Sequence, residues 1–211
     1  MTTHHDQTFA PPIRRLLDRV AVAARLDDVE ATCRGVKDAL CEEIVHGGLE
    51  LPAELVRPAP DRYARRLLAK CPDNLFAIVI MVWGVDQGTP IHDHAGKWCV
   101  ECVYEGRIKV TSYDRLEDGT TTARFRKEDV VFAEKGNAGA LIPPHDYHVI
   151  ENARDDEASV TIHVYGGEME GCHAFLPVDG NNEAAKNEAG ESADGELYTK
   201  KWCELSYTPI A

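Results

Sequence analysis

Near Leu75 the spacing of apolar residues changes period, and that change limits the fold more than any other feature of this 211-residue chain. Before it, Ile13, Leu16, Leu17, Val20, Ala21 and Ala24, then Val29, Val36, Leu40 and Ile44, recur at intervals of three and four. A period of 3.6 predicts two or three amphipathic helices between residues 11 and 58. The first is entered through Pro11-Pro12 and a later one is closed by Gly47-Gly48. The helical part is expected to end near "ELVRPAPDRYARRLLAK". After Leu75 come short β-rich runs broken by turns: "LFAIVIMVW", "WCVECVYEGRIKVTSYD", "ARFRKEDVVFAEKG", "AGALIPP", "YHVIENA" and "SVTIHVYGG". No helical stretch separates them, so an antiparallel sandwich or barrel is expected rather than βαβ units. Residues 180–196 are polar and predict a surface loop before a last strand-like segment, "LYTKKWCELSYTP".

Such a length suits one domain with one sizeable core. Charge then narrows the partners. With 36 acidic against 23 basic residues, the formal net charge of −13 opposes binding to phosphate backbones or anionic lipid. Neither nucleic acid nor membrane is expected as a partner, and a small molecule is. No apolar run approaches the roughly 20 residues that a membrane span needs. The opening "MTTHHDQTFAPPIRRLLDRV" lacks a basic segment followed by an apolar one, so a cytoplasmic location is expected. Seven cysteines without a repeated CxxC spacing are expected to be free thiols.

At the head of one β-rich run stands "PIHDH", in which alternate residues of a strand would point His92 and His94 to one face. An HxH pair alone is more often a hydrogen-bonded pair than a ligand pair. About fifty residues later, however, "PPHDYHVIEN" sets Pro143, His148 and Asn152 at the spacing P-x-G-x-x-H-x-x-x-N, and Gly106 follows the first pair. These two motifs resemble those of the cupin superfamily. The resemblance implies a mainly β fold, a cupin double-stranded β-helix or jelly-roll barrel, with the metal inside it. An N-terminal helical segment (1–60) would pack on a barrel domain (61–211). Two departures are informative: Cys99 stands where the first motif has a metal-binding Glu, and His145 where the second has Gly. With "RYARRLL", "VWG", "SVTIHVYG" and "CHAF", the pattern is similar to the cysteine dioxygenase family of thiol dioxygenases, over roughly residues 60 to 175.

The resemblance implies Fe(II) held by His92, His94 and His148. Three imidazoles do not by themselves select iron over copper, nickel or zinc. Without a carboxylate ligand the centre keeps more positive charge, which favours ionisation of an incoming thiol. Thr161, His163 and Tyr165 alternate on one strand face and could form a hydrogen-bonded relay; the family has Ser where this chain has Thr161. In mammalian members the cysteine at position 99 is joined to the relay tyrosine by a thioether, and this chain carries both partners of such a crosslink, Cys99 and Tyr165. A buried, reduced cysteine is the plainer alternative. Arg65, two residues after Tyr63, matches the family's arginine for the substrate carboxylate; Arg66 is the alternative donor, and in a solvated helix either would be a surface charge. Met81 and Trp83 match pocket walls. The expected reaction is L-cysteine plus O2 to cysteine sulfinic acid. Rivals are dioxygenation of 3-mercaptopropionate or mercaptosuccinate, a non-catalytic metal-binding cupin, and a zinc or nickel cupin of isomerase or hydrolase type.

Five further residues complete the reading. Glu101 shares strand parity with Cys99 and is expected to pair with an arginine or to be turned outward by a bulge, since an unpaired buried carboxylate is costly. His145 is expected to be exposed at a turn. His173, in "CHAF", has no ligand role that the sequence supports. His4 and His5 are assigned to a disordered terminus.

Overall fold

The computed structural model describes residues 9–178 and 194–210, so His4, His5 and most of the loop expected at 180–196 lie outside the described residues. Two helices open the chain, α1 (Pro11–Ala23) and α2 (Val29–Val45). Pro11 sits in the first turn of α1, where a missing N–H costs nothing. Asp28 caps α2 by accepting from the Ala31 amide at 2.7 Å. The helices pack together through Ile13, Leu16, Val20, Val36 and Leu40, and Arg15 and Arg19, one turn apart, both reach the buried Glu43.

Among the described residues eleven strands follow: β1 (Ala64–Lys70), β2 (Ala77–Trp83), β3 (Ile91–His92), β4 (Cys99–Glu105), β5 (Arg107–Asp118), β6 (Thr122–Glu134), β7 (Ala138–Leu141), β8 (His148–Asn152), β9 (Ser159–Tyr165), β10 (Gly171–Pro177) and β11 (Glu196–Glu204). Five form a sheet in the order β1-β2-β9-β4-β7, and six close on themselves in the order β10-β11-β6-β5-β8-β3. All the strand pairings are antiparallel. This is the mainly β jelly roll with a helical layer.

Period-two alternation divides the central strands of the first sheet between two cores. Ile78, Ile80, Val82, Val100, Cys102, Val160, Ile162 and Val164 face the helices in one cluster. Val79, Met81, Trp83, Cys99, Val103 and Tyr165 face the other way and meet Ile108 and Ile150 of the second sheet. A strand buried on both faces reads as an unbroken apolar run, which is why "LFAIVIMVW" shows no alternation in sequence.

One expectation is corrected here. "RYARRLL" continues into β1 rather than a helix, and Arg65 and Arg66 are buried at 4% and 5% exposure instead of solvated. The adjacent Leu67 and Leu68 fit either period, and pairing of Ala64 to Val82 and Arg65 to Met81 along β2 decides for the strand. No third helix forms among the described residues, since 46–63 runs through turns.

Two motif residues outside the histidines, Asn152 and Gly106, are structural. Asn152 Nδ2 donates to the carbonyls of Trp83, Gly84 and Glu157, and Asn152 Oδ1 accepts from Ser159 Oγ at 2.7 Å. Ser159 Oγ in turn accepts from the Arg107 amide, just past Gly106. Gly106 has φ +82°, and a Cβ there would stand 2.9 Å from Ser159 Cα and collide with its hydroxyl. Gly106→Ala should therefore cost about 2–3 kcal/mol of unfolding free energy, read as a lowered urea midpoint with unchanged slope.

Candidate metal centre

His92 and His148 are opposite one another in the β3–β8 pair, and their Nε2 atoms are 3.2 Å apart. His94 joins them by a different route from the one the sequence suggests. Strand β3 ends at His92, so no shared strand face carries His94 inward. Instead its backbone amide and its Nδ1 both bind Asp146 Oδ2, at 3.0 and 3.1 Å. Ala95 and Gly96 then turn the chain with φ of 51° and 74°. Asp146 was missed in the sequence, where it stands two residues before His148 with no other signal. His173 acquires a role of the same kind: its amide and Nδ1 hold Asp93, the residue between the two histidines, at 2.9 Å each. His145 is exposed, as expected.

One ligand atom from each of His92, His94 and His148 falls within 4.8 Å of the others. The three fit a metal ion on several grounds. His92 Nδ1 faces the Pro90 carbonyl at 3.2 Å and His94 Nδ1 the Asp146 carboxylate, both of them acceptors, so each ring carries its proton there and turns a bare Nε2 inward. Desolvation pushes His92 down to about 4, and it pushes His148 well below the ordinary imidazole value, aided by the neighbouring His92 and His94. Neutral rings with lone pairs at pH 7 are what a divalent cation needs.

Behind the trio runs a polar chain on the inner face of β9. Trp83 Nε1 donates to Thr161 Oγ1 at 2.9 Å, and Thr161 Oγ1 is hydrogen-bonded to His163 Nε2 at 2.8 Å. Burial lowers His163 to about 3, so it too is neutral. His163 Nδ1 in turn lies 3.9 Å from Cys99 Sγ. Tyr165 stacks on His163 with ring centroids 5.9 Å apart, but its hydroxyl donates to Met81 Sδ at 3.8 Å. Burial raises the Tyr165 phenol, which keeps it a proton donor. Cys99 lies directly across from Tyr165 in the β4–β9 register. The adjacent Trp98–Gly166 pair is hydrogen-bonded, which makes Cys99–Tyr165 a close, non-bonded pair with Cα atoms about 4.5 Å apart.

Arg65 and Arg66 point to opposite faces of β1. Arg66 donates to the carbonyls of Leu55 and Arg57, outside the lumen. Arg65 lies 5.9 Å from the Tyr165 ring and 4.7 Å from the Tyr207 ring, and donates through Nη2 to the Met169 carbonyl at 3.0 Å. Its buried Nε has no hydrogen-bond partner. Tyr63 packs on Trp83 with ring centroids 4.8 Å apart and the planes tilted by 31°. The C-terminal segment, which the sequence left without a role, closes this side: Thr208 exchanges two hydrogen bonds with the Arg65 backbone, and Tyr207 donates to Glu168.

The two arrangements expected for Glu101 are both corrected. The nearby bulge falls between Val103 and Glu105, beyond it, so its parity with Cys99 is kept and it points into the lumen at 7% exposure. Its neighbours are imidazoles and not an arginine: Oε1 is 3.8 Å from His148 Nδ1 and Oε2 is 3.6 Å from His163 Nδ1. Desolvation raises this carboxyl to about 8.

The family model "Cysteine dioxygenase type I" matches residues 53–177, which hold every site residue named above except Tyr207 and Thr208. Cysteine dioxygenase type 1 of Rattus norvegicus is 30% identical over 115 residues, 54% of this chain and 56% of that protein. The Danio rerio enzyme is 26% identical over 129 residues, 59% and 61% of the two chains. The chain thus spans little more than half the length of these relatives. A Klebsiella pneumoniae protein with a double-stranded β-helix domain superposes with a TM-score of 0.43 at 17% identity, over 57% of this chain and 91% of that one. With the match covering more than half of its residues, this chain belongs to the cysteine dioxygenase type I family.

Proposed function

We propose that the protein is an iron-dependent thiol dioxygenase that converts L-cysteine and O2 into cysteine sulfinic acid. The observation that carries this reading is the pairing, in one lumen, of a three-histidine cluster with a buried guanidinium whose Nε is unpaired. Fe(II) held by His92, His94 and His148 would supply the electrons for oxygen activation and a point of attachment for the thiolate.

The remaining work falls to side chains. Arg65 offers a planar fork for the carboxylate of cysteine, and burial makes that pairing stronger than on a surface. A guanidinium buried without an anion is costly, so the site is poised for one. Tyr63, Met81 and Trp83 wall the lumen and exclude water. Tyr165 presents a protonated phenol on the same side as Arg65, suited to fixing the substrate and steadying charge that develops on it. His163, held by Thr161, fixes the ring on which Tyr165 stacks. A Cys99–Tyr165 thioether would lock the phenol further, and the close cross-strand pairing favours it.

The decisive experiment is anaerobic loading with Fe(II) and L-cysteine, then admission of O2, with the product identified by mass. Sulfinate carrying two added oxygen atoms is expected, and disulfide alone would refute the reading. His148→Ala should abolish both oxygen uptake and sulfinate. Arg65→Gln should raise KM for L-cysteine at least about tenfold and shift preference toward 3-mercaptopropionate, checked by comparative oxygen uptake on cysteine, 3-mercaptopropionate and mercaptosuccinate. Wild-type protein after turnover should show a faster-migrating gel species lighter by about 2 Da, from the two hydrogens lost when the thioether forms; Cys99→Ser should lack it.

A further inference from the structure

Glu101 is not explained by the reaction proposed above. The family's first motif, as matched here, ends its ligand positions at Cys99, and Glu101 lies two residues deeper on the same strand face. Its position is fixed by the backbone, since it stands opposite His163 in the β4–β9 register and opposite Gly139 in the β4–β7 register.

Two buried polar atoms here are orphans. His148 Nδ1 and Glu101 Oε2 have no hydrogen-bond partner among the described residues. Buried polar atoms without partners are rare in native proteins, and these belong to two side chains that face each other at 3.8 Å. Once His148 Nε2 is given to the metal, its proton must sit on Nδ1 and needs an acceptor. His92 has the Pro90 carbonyl for this purpose and His94 has Asp146. For His148, among the described residues, Glu101 is the acidic group that faces Nδ1, at 3.8 Å.

Resting on the metal-centre reading, we propose that Glu101 is a positioning residue that completes the set of outer acceptors. One carboxylate oxygen receives the Nδ1 proton of His148 and holds its Nε2 on the metal. The other faces His163 Nδ1 and ties the metal trio to the Trp83–Thr161–His163 chain. A cavity of about 380 Å³, lined by Glu101, Thr161, Ile108, Val110, Phe132 and Leu141 among others, opens beside the carboxyl group and leaves its side chain room to move.

The test measures Fe(II) affinity under anaerobic conditions, by competition with a chromophoric chelator, and the melting temperature of the metal-free protein. Glu101→Leu should weaken Fe(II) binding roughly tenfold to hundredfold, the usual effect of losing such a partner, while the metal-free form melts no lower than wild type. Glu101→Gln keeps an acceptor oxygen for His148 and should bind within about threefold of wild type. If Leu prevents folding, Glu101→Met takes its place. Wild-type affinity in the apolar variant, or equal loss in Gln and the apolar variant, overturns the assignment. A wild-type protein that binds no Fe(II) at a site removed by His148→Ala sinks the metal-centre reading itself, so the two failures are distinguishable.

Discussion

The structure depends on one constraint: the central strands of the first sheet are buried on both faces, and the period of a strand is two. Each residue of β2, β9 and β4 must therefore belong to the helix-facing core or to the lumen. Val160, Ile162 and Val164 belong to the first, and Thr161, His163 and Tyr165 to the second. A slip of one residue would drive an imidazole and a phenol into the helices and aliphatic groups into the lumen. The hydrophobic burial of the outer parity thus fixes the inner parity, and the position of the chemistry follows from packing with which it shares no side chain.

On that inner parity the protein accepts a concentration of polar groups that an ordinary core would exclude. His148, His163, Glu101 and Arg65 are all buried, and three of them have at least one orphan atom. Each orphan costs stability, roughly 1–3 kcal/mol by general experience with unsatisfied groups. The surrounding aliphatic clusters and the helical layer offset it. The polar groups are thereby set in place before anything binds, and preorganisation of this kind reduces the rearrangement that binding would otherwise demand.

The chain segments that finish the site come from far apart in sequence. Asp146 reaches His94 across 52 residues, His173 holds Asp93 across 80, and Thr208 ties down Arg65 across 143. Loops bearing Asp93, Ala95 and Gly96 would otherwise be free to move His94 away from the trio. Rigidity at the metal centre therefore comes from long-range acceptors and not from the local sequence around the HxH pair.

Much of this was legible in sequence because it follows from local period and spacing. The switch from a 3.6 to a 2.0 period separates the helices from the barrel. The spacing of His92, His94 and His148, with Gly106 and Asn152, marks the motif positions. The parity of Thr161, His163 and Tyr165 is a property of any strand. What tertiary structure alone decided are the choices on which local rules are neutral. "RYARRLL" could have satisfied either period, and pairing along β2 made it a strand with Arg65 facing inward and Arg66 outward. His94 reaches the trio through Asp146 rather than through strand alternation, because a carboxylate distant in sequence outweighs a two-residue strand. Glu101 meets two imidazoles instead of an arginine because the register of β4 on β9 sets which groups share the lumen. Sequence determines which residues a backbone period places on one face, since that depends on covalent geometry; which partners meet across that face depends on how separate segments pair, and only the folded chain holds that information.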